Sequence, residues 1–135
     1  MARFRDNLDR SFEETDARIY VQVLPGDLPF PVEAMVDTAA PWCIFSPLIG
    51  ERLRPHLDIL REPVFLHTRL GRFRGALYRG SVKIPADEGI PLEVDAVMFL
   101  CEDWPGGNFV GYQGFLQNIR FAVDPHRNRF YFASL

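Results

Sequence analysis

Ala34-Met35-Val36-Asp37-Thr38-Ala39-Ala40 sets a carboxylate at the end of an apolar strand and follows it with a small hydroxyl residue and two alanines. A carboxylate there costs free energy unless hydrogen bonds or a proton satisfy it. Asp37 therefore either caps its own turn or belongs to a site, and the flanking sequence bears on which.

Upstream, Ile19-Tyr20-Val21-Gln22-Val23-Leu24 is strand-like, Pro25-Gly26-Asp27 breaks it, and Pro31 to Val36 forms a return strand, so a β-hairpin runs directly into Asp37. Downstream, Trp42-Cys43-Ile44-Phe45 reads as a short strand. Ser46-Pro47 has the form of a helix N-cap with proline at the first helical position, opening a helix through Leu53 that Pro55 should end. Val64 to Leu70 and Ala76 to Ile84 are strand-like and flank Gly71-Arg72-Phe73-Arg74-Gly75, which is expected to be the exposed tip of a long hairpin. A second breaker, Pro85 to Gly89, leads into the strand Leu92 to Leu100. After the Gly106-Gly107 turn come Phe109-Val110-Gly111, a short helix from Gln113 to Asn118, and a closing hairpin of Arg120 to Val123 and Arg129 to Phe132. The class is mostly β. Tyr20 to Val36 and Tyr78 to Phe99 share one order of strand, turn and strand, which suggests two related halves about a pseudo-two-fold axis.

A chain of 135 residues, 47% of them hydrophobic, is long enough to bury one core, and the organisation expected is an N-terminal arm or short helix over residues 1–17 and a domain over 18–135. Phe4, Leu8 and Phe12, spaced four apart, give the arm its amphipathic character. A net charge of -3 argues against nucleic acid as a partner, since binding it requires basic residues to neutralise phosphates. Cys43 and Cys101 show neither metal-ligand nor disulfide-framework spacing, and are expected to be half-buried free thiols in a reducing compartment. No apolar run is long enough to span a bilayer, so a soluble, cytoplasmic protein with no membrane partner is expected. His56, His67 and His126 form no metal-ligand pattern, and no phosphate-binding glycine motif occurs, so no metal or other cofactor is expected. Trp42 and Trp104 read as core or rim aromatics.

Ala34-Met35-Val36-Asp37-Thr38-Ala39-Ala40 followed by Trp42 to Phe45 resembles the catalytic loop of the retropepsin-like aspartic peptidases, in which Asp is followed by Thr or Ser, Gly and Ala. Phe109-Val110-Gly111 with Gly114-Phe115-Leu116 is similar to that family's supporting apolar-apolar-Gly segment and helix. The resemblance extends from Ile19 to Phe132. It implies a closed β-barrel of one acid-protease lobe with one or two short helices, and an aspartic endopeptidase that works as a homodimer on peptide or protein substrates. Asp37 would be the catalytic residue, with Thr38 locking the two loops together and Ala39 beside them. Ala40, Gly71, Arg72, Phe73, Gly75, Val110 and Gly111 would bind substrate. Asp27, Asp95 and Asp124 lack a following Thr or Ser, so a second catalytic aspartate would have to come from another copy of the chain. The terminal segment Arg129 to Leu135, with the N-terminal arm, would form the two-fold interface. Ala39 departs from the family's glycine. It motivates the alternative of a catalytically weak or inactive retropepsin-like module that dimerises or binds peptides, and a small barrel holding an apolar ligand is a third reading.

Overall fold

The computed structural model describes residues 2–3, 19–127 and 129–135. These form strands β1 (Ala2–Arg3), β2 (Tyr20–Pro25), β3 (Val32–Val36) and β4 (Cys43–Ile44), helix α1 (Pro47–Leu53), and then β5 (Asp58–Thr68), β6 (Gly71–Ile84) and β7 (Leu92–Leu100). The remaining strands are β8 (Phe109–Val110), β9 (Ile119–Asp124) and β10 (Arg129–Ser134). Of the arm expected over residues 1–17, only Ala2 and Arg3 fall within the described residues; they pair with Phe130 and Arg129 of β10.

Alternation sets the inner face of the first hairpin. Val21 and Val23 of β2 and Ala34 of β3 are fully buried, while Gln22 and Glu33 point to the other side of the pleat. β2, β3, β8, β4, β7 and β6 are hydrogen-bonded in that order, and a β2–β6 pairing closes the ring into a six-stranded barrel. Its interior holds Val82, Ile84, Met98, Phe45, Val110 and Phe115. The expected mostly β closed barrel is thus present, with α1 as the one short α-helix among the described residues and 3-10 turns at Arg54–His56 and Leu116–Asn118.

Two parallel pairings hold the centre. β3 pairs with β8 through Met35↔Phe109 and Val36↔Val110, and β4 pairs with β7 through Cys43↔Met98 and Ile44↔Phe99. Each hairpin therefore lies parallel to the short strand that follows the other hairpin, which realises the internal similarity seen in the sequence. The two short strands meet antiparallel at Ile44↔Phe109.

Several expected boundaries move. β5 begins at Asp58, six residues before the expected start, because Pro63 lies on an edge strand paired only with β6, where its missing N–H costs no ladder bond. The hairpin turn falls at Arg69-Leu70 rather than at Gly71 to Gly75, with Thr68 opposite Gly71. A local hydrogen bond from the Leu70 N–H to Thr68 Oγ1 (3.0 Å) shapes it. Gly75 lies inside β6, where a Cβ would collide with the Leu100 carbonyl and the Phe99 ring, so this glycine serves close strand approach and not a turn. The helix expected from Gln113 to Asn118 is a single 3-10 turn. α1 starts after Ser46 as expected, but the serine hydroxyl makes no cap bond; instead the Ser46 N–H donates to Asn108 Oδ1 at 2.8 Å. Pro55 sits within the 3-10 turn that follows α1. No helix among the described residues is long and apolar enough to cross a membrane.

Cys43 and Cys101 are both free, and both are buried rather than half-buried. Burial pushes the Cys43 thiol up from 9.0 to about 12, against a smaller lowering by a backbone hydrogen bond from Gly111. Between these two values the folded chain keeps a proton that the unfolded chain has lost. The Cys43 contribution to stability is therefore complete below about pH 9 and is lost as pH rises toward about 12, on the order of 1 kcal/mol per pH unit. Denaturant melts repeated at rising alkaline pH should show this slope in the wild type and a shallower one in Cys43→Ala. Peptide mapping after brief alkylation near pH 8 should find Cys43 unmodified.

Candidate functional site

Asp37 follows the last residue of β3, and backbone bonds lock the loop it opens. Its N–H donates to the Val110 carbonyl at 3.0 Å, extending the β3–β8 pairing by one residue, and its carbonyl accepts from the Ala40 N–H at 3.1 Å. The Ala39 N–H donates to Asp37 Oδ1 at 2.9 Å, so alanine retains the amide donor that glycine would supply. The Ala40 carbonyl accepts from Tyr112 N–H at 2.9 Å, which ties the far end of the loop to the segment after β8. Asp37 is half-buried; Thr38 and Ala39 are exposed. The Thr38 hydroxyl has no hydrogen-bond partner among the described residues.

Gly111 permits this arrangement. A Cβ there would fall on the Trp42 carbonyl and lie 2.8 Å from the Ala40 carbonyl, so the chain passes through a gap that only glycine fits. Asn108 braces the same region. Its carbonyl accepts from Met35 N–H at 2.9 Å and its Nδ2 donates to the Glu33 carbonyl at 3.2 Å, joining β3 to the entrance of β8.

A cavity of about 420 Å³ opens between this loop and the tip of the β5–β6 hairpin. Asp37, Ala39, Ala40 and Pro41 form one side, and Leu66 to Leu70 the other. Ile44, Trp104 and Phe109 line it as well. Trp104 is held rigidly: its Nε1 donates to the Gly107 carbonyl at 2.9 Å, and its ring meets Phe73 and Phe109 edge-on at 5.3 and 6.1 Å. The Gly106-Gly107 turn is folded against that indole, since a Cβ on Gly106 would lie 2.6 Å from the ring. Trp42 stacks on Phe99 at 6.0 Å outside the cavity.

The three aspartates Asp27, Asp95 and Asp124 are engaged away from it. Arg79 grips Asp95 with Nη2 at 2.6 Å, and this hydrogen-bonded pair holds the Asp95 carboxyl below the usual carboxylate range. Asp124 pairs with Arg127 at 3.2 Å, and Asp27 lies 3.6 Å from His56. The strand registers show which residue stands in the place of Asp37 in the other half of the barrel. Met35 pairs with Phe109 and Phe99 with Ile44, while Ile44 and Phe109 face each other across the two halves, so Met35 corresponds to Phe99 and Cys101 is the counterpart of Asp37. Cys101 is a buried free thiol.

No family model and no curated protein matches the sequence. A search of solved structures finds the crystal structure of a retropepsin-like aspartic protease from Rickettsia conorii, at a TM-score of 0.55 and 17% identity, covering 83% of this chain and 88% of that one. The fold is retropepsin-like. Identity this low speaks for the architecture alone.

On this retropepsin-like frame, Asp37, Ala39 and Ala40 line one cavity, while the other expected residues sit elsewhere. Val110 is fully buried and supports Asp37 from behind, as Gly111 supports the loop. Gly71 opens β6 beside the turn with φ +133°. The Arg72 guanidinium lies 4.0 Å from the centre of the Phe65 ring, and the Phe73 ring backs Trp104. Gly75 lines a separate cavity of about 390 Å³ with Arg74 and Tyr78. The sequence reading missed the apolar lining of Ile44, Leu66 and Phe109, together with His67, Arg69 and Leu70 at the tip. A Thr-x-x-Gly spacing at Thr68 to Gly71 was the available sign of where the turn lies.

Proposed function

We propose that the chain is an aspartic endopeptidase that assembles its site from two copies, hydrolysing peptide bonds with water activated between two Asp37 carboxylates. The observation that carries this reading is Asp37 itself: half-buried, fixed at its amide by Val110, lining a cavity beneath a hairpin tip, and matched in the other half of the barrel by Cys101 and not by a carboxylate. Two carboxylates brought together share one proton, because like charges so close cannot both ionise. The ionised one takes a proton from water as its oxygen attacks the peptide carbonyl, and the protonated one donates to that carbonyl oxygen. Collapse of the tetrahedral intermediate breaks the C–N bond as the amine leaves with a proton from the pair. The Thr38 hydroxyl, without a partner among the described residues, would bond across the dimer axis and fix the spacing of the two loops. The terminal strand β10 and the arm that includes β1 would carry the subunit contact, since the outer edge of β10 beyond Phe130 pairs with no strand among the described residues.

This reading predicts that cleavage of a mixed peptide library rises with the square of protein concentration while monomer predominates and becomes linear once dimer does, in parallel with sedimentation. Activity strictly proportional to concentration in a monomer would overturn it. Ala39 supports the second reading, a dimerising or peptide-binding module with little activity. Its methyl lines the cavity where the resembling family has glycine. Under that reading the wild type binds extended peptides without cutting them.

A further inference from the structure

The hairpin whose tip faces Asp37 across the cavity is rich in arginine in a chain that is acidic overall, and it sets one of those arginines, Arg69, in the cavity wall. Between residues 61 and 74 the β5–β6 hairpin carries Arg61, Arg69, Arg72 and Arg74 against Glu62 alone, whereas the net charge of the protein is -3. These arginines are not equivalent. Arg72 is committed to the Phe65 ring and Arg74 lines the separate cavity, but Arg69 sits in the two-residue turn and lines the Asp37 cavity beside His67. Neither Arg69 nor His67 makes a side-chain hydrogen bond or ion pair among the described residues. The remaining lining, Ile44, Leu66, Trp104 and Phe109, is apolar and large enough in volume for a bulky side chain.

We infer that the site selects extended peptides in which an acidic residue stands directly beside a bulky apolar one, with Arg69 as the residue that reads the acid. This rests on the proposed peptidase reading for its binding mode. Side chains of an extended peptide alternate between its two faces. When an aromatic or leucine side chain enters the apolar lining, its immediate neighbours turn toward the hairpin tip. A glutamate or aspartate there meets a guanidinium whose planar fork suits a carboxylate, and the His67 ring adds a second donor. A lysine or arginine at the same place would face like charge.

The test uses the full chain and a matched pair of labelled peptides that differ only in Glu or Gln beside a central Phe. Binding is measured by fluorescence anisotropy on the Asp37→Asn protein, and kcat/KM on the wild type. The Glu peptide is expected to bind about tenfold more tightly, a preference that falls below about twofold in Arg69→Gln and persists in Arg127→Gln, which removes an equal charge at the β9–β10 turn. Equal or absent binding of the two peptides, or a preference that survives Arg69→Gln, overturns the inference. Cleavage of both peptides with equal kcat/KM overturns it while leaving the peptidase reading intact. Tenfold preferential binding without cleavage of either peptide upholds Arg69 and removes the peptidase.

Discussion

Asp37→Asn is expected to reduce peptide hydrolysis by about a thousandfold or more without unfolding the chain. An amide neither takes a proton from water nor shares one with a facing carboxylate, so both roles in the proposed dyad vanish together. The loop should survive. The side-chain oxygen of the substituted asparagine can still accept from Ala39 N–H, and the bonds that position the residue run through its backbone to Val110 and Ala40. A thermal midpoint close to that of the wild type is the expected companion result. Because each site takes one aspartate from each subunit, adding an excess of Asp37→Asn protein to wild type should also suppress activity by drawing wild-type chains into mixed dimers. Unchanged turnover in the purified variant would end the aspartic-peptidase reading, and loss of turnover with loss of folding would shift the question to conservative variants such as Asp37→Glu.

Gly111→Ala should be the most damaging single methyl in the domain. The added carbon would overlap the Trp42 carbonyl and press the Ala40 carbonyl, and both acceptors are backbone that cannot rotate away. Relief requires the 40–42 segment to separate from the strand that carries Val110, which loosens the Asp37 loop and the Tyr112–Ala40 bond together. We expect a loss of about 3 kcal/mol or more, and a thermal midpoint lowered by roughly 10 °C. Gly107→Ala is the matched control. A Cβ there meets nothing within 4 Å, so a change below about 0.5 kcal/mol is expected. Equal stabilities for the two variants would mean that the close passage at Gly111 is not what holds the loop.

Much of the barrel was legible because its strands alternate. Val21, Val23 and Ala34, and likewise Val94, Ala96 and Met98, recur every second residue and are the ones found buried. The short pieces were harder. β4 and β8 have two residues each, too few for any periodicity, and they hold their place through parallel pairing with β7 and β3. β5 was misjudged at its start because a proline reads as a stop unless the strand is known to lie at an edge. Gly75 was misjudged because a glycine needed for a turn and a glycine needed for close packing look the same in one dimension.

The sequence by itself determined the class, the hairpin that delivers Asp37, and the shortage of a second Asp-Thr pair, since these depend on local pattern and residue identity. Only the tertiary structure decided that Cys101 is the counterpart of Asp37, that Gly111 makes room for the loop, and that Arg69 rather than Gly71 to Gly75 overhangs the cavity. Those facts depend on which strands lie side by side and in what register. Register is fixed by burying one face of every strand at once, a condition that no single segment contains.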